Sequence, residues 1–271
     1  MTHKRMIILD IASLGIGEAP DANRFNSVGA DTLGHVADKG LSVPNLIDLG
    51  LGNIRWDNEL ATVPQNDAPR AFFGKMVPNV ASYKGSATYR EMFDYTTDAR
   101  TVSVMDLMAE QNMDVSIISS FTNYLEKQDE ISTLQVPSDS KAFVELSAKM
   151  RTQKDGLIYC QVPEVHILAK ARNCFGYAEQ LNKVDETIGK IVERLRDTDL
   201  LLILSSEAID PSMEIKISRE YLPLLVFNPN QEVGKSLGIK RSLGAVGNAI
   251  AAYFDLDEGK QNKPNFINEV L

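Results

Sequence analysis

Aliphatic residues recur along this chain in two registers. Short unbroken runs, "RMIILDI" at 5–11, "MDVSIIS" at 113–119, "GLIYCQV" at 156–162, Leu200 to Leu204 and Leu222 to Phe227, are each bounded by polar turns. Runs of that kind predict strands buried on both faces of a sheet. Between them, Tyr177, Leu181, Val184, Ile188, Ile191 and Leu195 fall on one stripe with charges opposite, which predicts a long amphipathic helix. "SDSKAFVELSAKMRTQ" predicts a helix capped by Ser138 or Asp139, and "TVSVMDLMAEQN" a second one. "ADTLGHVADKG" and "PNLIDLGLG" are short helices closed by glycine, and "RSLGAVGNAIAAYF" is a buried helix of small residues. "SLGIGEAPDANRFNSVG" is a long polar loop after the first strand, and "VPNVASYKGSATYREMFDYTTDAR" has no period and is read as loop. Helices alternating with aliphatic strands predict an α/β fold, a mainly parallel sheet with helices on both faces. No repeat or low-complexity linker divides residues 1–271, so a single domain is expected.

Composition narrows the partners. The hydrophobic share of 44% can build a full core, and a net charge of −9 leaves no basic patch for a phosphate backbone, so nucleic acid is not expected. Basic residues precede the first apolar run, but Asp10 and the turn after it interrupt that run too early for a signal peptide or a membrane span. The expectation is a cytoplasmic protein with no membrane partner. Cys160 and Cys174 have no CxxC spacing and are read as structural thiols.

Motifs with chemistry are few. Gly234-Lys235-Ser236 ends like a phosphate loop, but Pro229 stands where the first glycine would be, so a surface turn is expected. "LGIGEA" lacks the third glycine of a dinucleotide fingerprint. His3 lies on the N-terminal tail, His35 in a short helix and His166 after a strand end beside Val165 and Ile167; each is read as a structural histidine rather than a base. A two-metal hydrolytic site needs several His and Asp converging from strand ends. The strand ends here supply Ala12, Val165, Ser206 and Glu207.

"GIGEAPDANRFNSVGADTLGH", "PNLIDLGLGNI", "GYAEQLNKVDETI", "SREYLPLLVF" and "LGAVGNAIAAYF" resemble the phosphopentomutase family of alkaline-phosphatase-type metalloenzymes. That resemblance implies an alkaline-phosphatase-like core with two manganese ions, a phosphorylated threonine and an inserted cap domain. Carried over position by position, it also implies loss. Ala12 falls where the first strand should supply an Asp ligand, with Asp10 two residues early. Gly85 falls on the nucleophilic threonine and Lys84 on the Asp before it. Val165 and Lys170 fall on an Asp/His ligand pair, Ser206 and Glu207 on another, and Ile217 on the last histidine. Only 92–101 stands in place of the cap, which is expected to be essentially absent.

The implied protein carries no manganese and has no catalytic residue of the mutase, because phosphoryl transfer depends on electrostatic clamping of the moving group. It is expected to act as a binding, regulatory or assembly partner, as a homo-oligomer or with another protein. The alternative is a remodelled, metal-independent enzyme or sugar-phosphate sensor using Lys84, Lys170, Glu207 and Arg219. Two structural expectations follow. Lys170 and Glu207 should pair across the vacated site. Met76, Val77, Tyr83, Tyr89, Met92, Phe93 and Tyr95 should form an association surface left bare by the missing cap.

Overall fold

The computed structural model describes residues 4–81, 87–97, 100–119, 125–127, 129–256 and 263–271. Among the described residues ten strands are formed: β1 (Arg5–Asp10), β2 (Phe72–Met76), β3 (Asp94–Thr96), β4 (Thr101–Ser103), β5 (Val115–Ile118), β6 (Ser132–Leu134), β7 (Gly156–Gln161), β8 (Asp199–Leu204), β9 (Leu222–Phe227) and β10 (Ser236–Lys240). The helices are α1 (Thr32–Ala37), α2 (Pro44–Asp48), α3 (Ala87–Phe93), α4 (Val104–Glu110), α5 (Asp139–Thr152), α6 (Pro163–Lys170), α7 (Cys174–Val192), α8 (Gly244–Tyr253) and α9 (Ile267–Val270). Eight strands make one sheet in the order β10-β2-β9-β8-β1-β7-β5-β6. All neighbours run parallel except β9, which is antiparallel to both β8 and β2. The fold is therefore the α/β, mainly parallel sheet that the aliphatic runs predict, and the alkaline-phosphatase-like core that the family resemblance implies.

Strand alternation divides the interior into two cores. Met6, Ile8, Leu157, Tyr159, Leu200, Leu202 and Leu204 pack with α4 and α8, while Ile7, Leu9, Ile158, Cys160, Leu201 and Ile203 pack with α2, α5 and α7. Both faces being apolar explains why these strands read as unbroken runs. The predicted stripe of α7 is buried at Tyr177, Leu181, Val184, Ile188 and Ile191, and Asn173 caps the helix by accepting from Gly176 N at 2.9 Å. At the N-terminal ends of the strands, fully buried Arg5 donates two bonds to Asp199 and two more to the Met150 and Gln153 carbonyls. That cluster ties β1, β8 and the end of α5 together.

The loop expected over 77–100 is in part ordered structure. Residues 87–93 form α3, and 92–101 spans its last turn and the first residues of a hairpin in which Asp94 faces Ser103 and Tyr95 faces Val102. α3 is too short to show a period. It docks on α8 at Gly247, where an added Cβ would stand 2.7 Å from the Met92 carbonyl oxygen. The expected association surface is corrected by the same packing: Met76, Met92, Phe93 and Tyr95 are buried in the core, and Phe93 meets Tyr159 edge-on at 5.5 Å. Tyr89 and Val77 are half-buried, and Tyr83 lies outside the described residues. "TVSVMDLMAEQN" divides into β4 and α4, because Ser103 accepts from Met105 N and starts the helix there. Ser236, read as part of a surface turn, opens β10 instead. No helix among the described residues is long and apolar enough to cross a membrane.

Candidate functional site at the carboxyl ends of the central strands

Parallel strands bring the segments after β1, β7 and β8 to one edge, where open α/β sheets bind ligands. Because β9 is antiparallel to β8, the whole 205–221 connection returns along that same edge. Three groups of side chains meet there.

The innermost is built on Asp10, the last residue of β1 and fully buried. Its carboxylate accepts from Ser206 N at 2.9 Å, from Gln161 Nε2 at 3.2 Å and from the Tyr159 hydroxyl. Burial raises the Asp10 carboxyl above the usual range, against the pull of these donors. Gln161 extends the network by donating to the Tyr89 hydroxyl at 2.6 Å and accepting from Ser119 Oγ at 2.9 Å. Burial with the nearby Asp10 charge also pushes the Tyr89 phenol up. Ser206 Oγ is buried beside the Asp10 carboxylate and the Tyr89 hydroxyl.

Next to it, His166 Nδ1 stands 2.7 Å from Ser13 Oγ and 3.0 Å from Glu207 Oε1. Ser13 adopts φ 85°, a left-handed conformation that costs a serine energy. It is held there by its N–H donating to the Glu207 carbonyl and by Tyr177 donating to its own carbonyl. A carboxylate against Nδ1 favours a proton on that nitrogen and fixes the orientation of the ring. Both oxygens sit on the same ring nitrogen, so Ser13 is not poised as a nucleophile in the manner of a serine triad.

The third group anchors the surrounding loops. Glu220, buried, accepts from Thr32 N at 2.8 Å and Thr32 Oγ1 at 2.7 Å and from Ser218 Oγ; burial raises its carboxyl. Asp210 accepts from Asp31 N at 2.9 Å and pairs with His35 Nδ1 at 2.6 Å. Arg219 donates twice to Asp21 at 2.9 Å, once to the Val80 carbonyl at 2.9 Å, and covers the Phe25 ring. The guanidinium holds the Asp21 carboxyl below its usual range.

Of the positions singled out in the sequence, Ser206 and Glu207 are brought to the site. Ala12 is buried beside it, Val165 is sealed in the core on α6, and Ile217 packs half-buried against the same core. Lys84 and Gly85 lie outside the described residues. The expected Lys170–Glu207 pair is not formed. His166, one turn earlier on α6, already occupies the carboxylate, and Lys170 stays exposed in the last turn, where a cation suits the helix dipole. Arg219 is committed to Asp21 and is not the open phosphate ligand expected of it. His166, read in the sequence as a structural histidine, is the residue brought against Glu207. Its signal was its place one turn beyond the end of β7, at the edge that also receives Glu207.

The donors suit two hard divalent cations poorly. Asp10 is filled by protein donors, His166 Nδ1 is taken, and among the described residues no three His, Cys, Asp or Glu side chains are grouped to hold a metal ion.

Comparison with known proteins agrees with this architecture. A phosphopentomutase from Clostridium kluyveri is 21% identical over 378 aligned positions, covering 95% of this chain and 97% of the relative. Since this chain has 271 residues, a large part of that alignment has no counterpart in it. Among solved structures, the PH0037 protein from Pyrococcus horikoshii superposes with a TM-score of 0.53 at 9% identity, covering 97% of this chain and 99% of its own. The C-terminal periplasmic domain of EptC from Escherichia coli gives 0.56 at 11%, covering 94% and 82%. An alkaline phosphatase superfamily protein from Vibrio parahaemolyticus gives 0.51 at 11%, covering 95% and 67%. The family model of the metalloenzyme superfamily matches residues 4–258, and the chain belongs to that superfamily.

Proposed function

We propose that this chain is a phosphopentomutase-like member of the superfamily that has given up metal-dependent phosphoryl transfer and serves as a binding or regulatory protein, with 92–101 in place of a cap. The observation that carries the reading is Asp10. It is the acid nearest to the family's first ligand position, and it is turned inward and saturated by Tyr159, Gln161 and Ser206. Without paired cations, a phosphate dianion at this edge faces the Glu207 carboxylate. At an effective dielectric of about 20, a unit charge pair ~5 Å apart costs roughly 3 kcal/mol. The test is the interconversion of ribose 1-phosphate and ribose 5-phosphate with manganese supplied. No turnover above the buffer rate is expected, and turnover abolished by a chelator would contradict the reading.

One observation favours a second reading, a metal-independent enzyme. The Glu207–His166 pair has the form of an oriented general base, with Nε2 free to take a proton from water while Glu207 steadies the imidazolium. Chelator-resistant hydrolysis of p-nitrophenyl acetate, lost in His166→Phe, would support it.

A further inference from the structure

A cavity of about 530 Å³ lies between β10, the start of α8, β3 and the turn before α9. It is apart from the Asp10 network, since β10 is the outermost strand, four places from β1 in the sheet. Its volume is that of a small-molecule site. We propose that this cavity binds a small apolar monocarboxylate, with the carboxylate on Arg241 and the body against Ile239. The site is independent of whether the Asp10 network holds metal.

Among the described residues the lining has one uncommitted charge. Lys240 donates to Glu269 at 3.1 Å, and Asp94 stands 3.8 Å from Arg90. Arg241, just past β10, is exposed, and its guanidinium makes no hydrogen bond or ion pair among the described residues. The start of α8 does not compete for an anion, because Glu91 already accepts from Leu243 N and Ser242 Oγ, each at 2.9 Å. A planar guanidinium with its N–H groups open matches a carboxylate, which it holds by two parallel bonds. Second, one wall is apolar. Ile239 is 50% exposed on the open side of the sheet, and Ala245 and Pro264 also line the cavity. Covering that wall with an apolar body removes it from water, which favours binding. Third, Asp94 in the same lining limits the charge of the ligand. A phosphate dianion meets one open guanidinium and is opposed by Asp94, so a singly charged head is preferred.

Octanoate and octanamide share a body and differ in the charged head, and backbone-amide NMR shifts of the full-length protein read both the site and the affinity. Octanoate should shift the amides of Ile239, Ala245 and Asn248 and bind about fivefold or more tightly than octanamide, as a charge-assisted pair allows. Arg241→Gln should remove that preference, and Ala245→Phe, which fills the cavity, should weaken both ligands. Arg241 has no side-chain partner to lose, so its variant tests binding rather than folding. Asp257→Asn with Glu258→Gln, in the stretch before Lys263 that lies outside the described residues, should leave the preference for octanoate in place. N-acetylated trileucine with a free C-terminus distinguishes a peptide chain end from a free acid. Tighter binding of either one supports the carboxylate site and names its source. Equal binding of octanoate and octanamide would overturn the proposal. So would a preference that survives Arg241→Gln or vanishes with Asp257 and Glu258, tighter binding of octyl phosphate than of octanoate, or shifts confined to other parts of the molecule.

Discussion

Glu220 concentrates the physics of the site in one side chain. Its buried carboxyl holds Thr32 and Ser218, so it fastens the long loop after β1 to the β8–β9 connection. Burial raises its pKa, so the folded chain holds the proton more tightly than the unfolded chain. Its contribution is complete below the unfolded value and is lost as pH rises through the folded one. Glu220→Gln should therefore flatten the fall in stability as pH rises above the ordinary glutamate range, read from urea midpoints. An unchanged slope would assign that fall to other buried acids. Gly15 lies against the same carboxylate, with an added Cβ 2.1 Å from Glu220 Oε2. Gly15→Ala should cost about 1–3 kcal/mol, measured as a lowered midpoint at unchanged m. Neither role was legible in the chain, because a buried acid on a loop and a glycine that merely leaves room carry no periodic signal. Glu207 was legible as a strand-end residue, yet its partner was not. Lys170 and His166 are one helical turn apart, and only packing decides which reaches the carboxylate.

At the scale of elements, the central strands and α7 were readable because each buries a whole stripe or both faces. α3 and the β3–β4 hairpin were not, since segments of three to seven residues do not establish a period and these take their order from docking against α8. Phe93 and Tyr95 of that segment were read as surface and are instead core. The opposite end of the sheet supplies a test of how elements are joined. Arg5→Met leaves Asp199 charged, buried and unpaired, and should destabilise by about 3–5 kcal/mol. Arg5→Met with Asp199→Leu should recover much of that loss, because an ion pair replaced by apolar groups of similar volume is often neutral. A double variant as unstable as the sum of the two single ones would argue that the Arg5 bonds to the α5 carbonyls, not the pair, hold the strands.

The whole molecule has the scaffold of the metalloenzyme superfamily, and a different chemistry at its strand ends is what the proposed function asserts. The scaffold was legible at full length because strand pattern and loop motifs are spread along the chain. The resemblance alone implied a set of replacements at the site, and which hydroxyl, amide and carboxylate groups meet there depends on folding. The central claim is that these groups hold no metal pair. Elemental analysis of the protein after manganese loading and desalting addresses it most directly. The account predicts far less than one equivalent of manganese per chain, and two tightly held equivalents would contradict it.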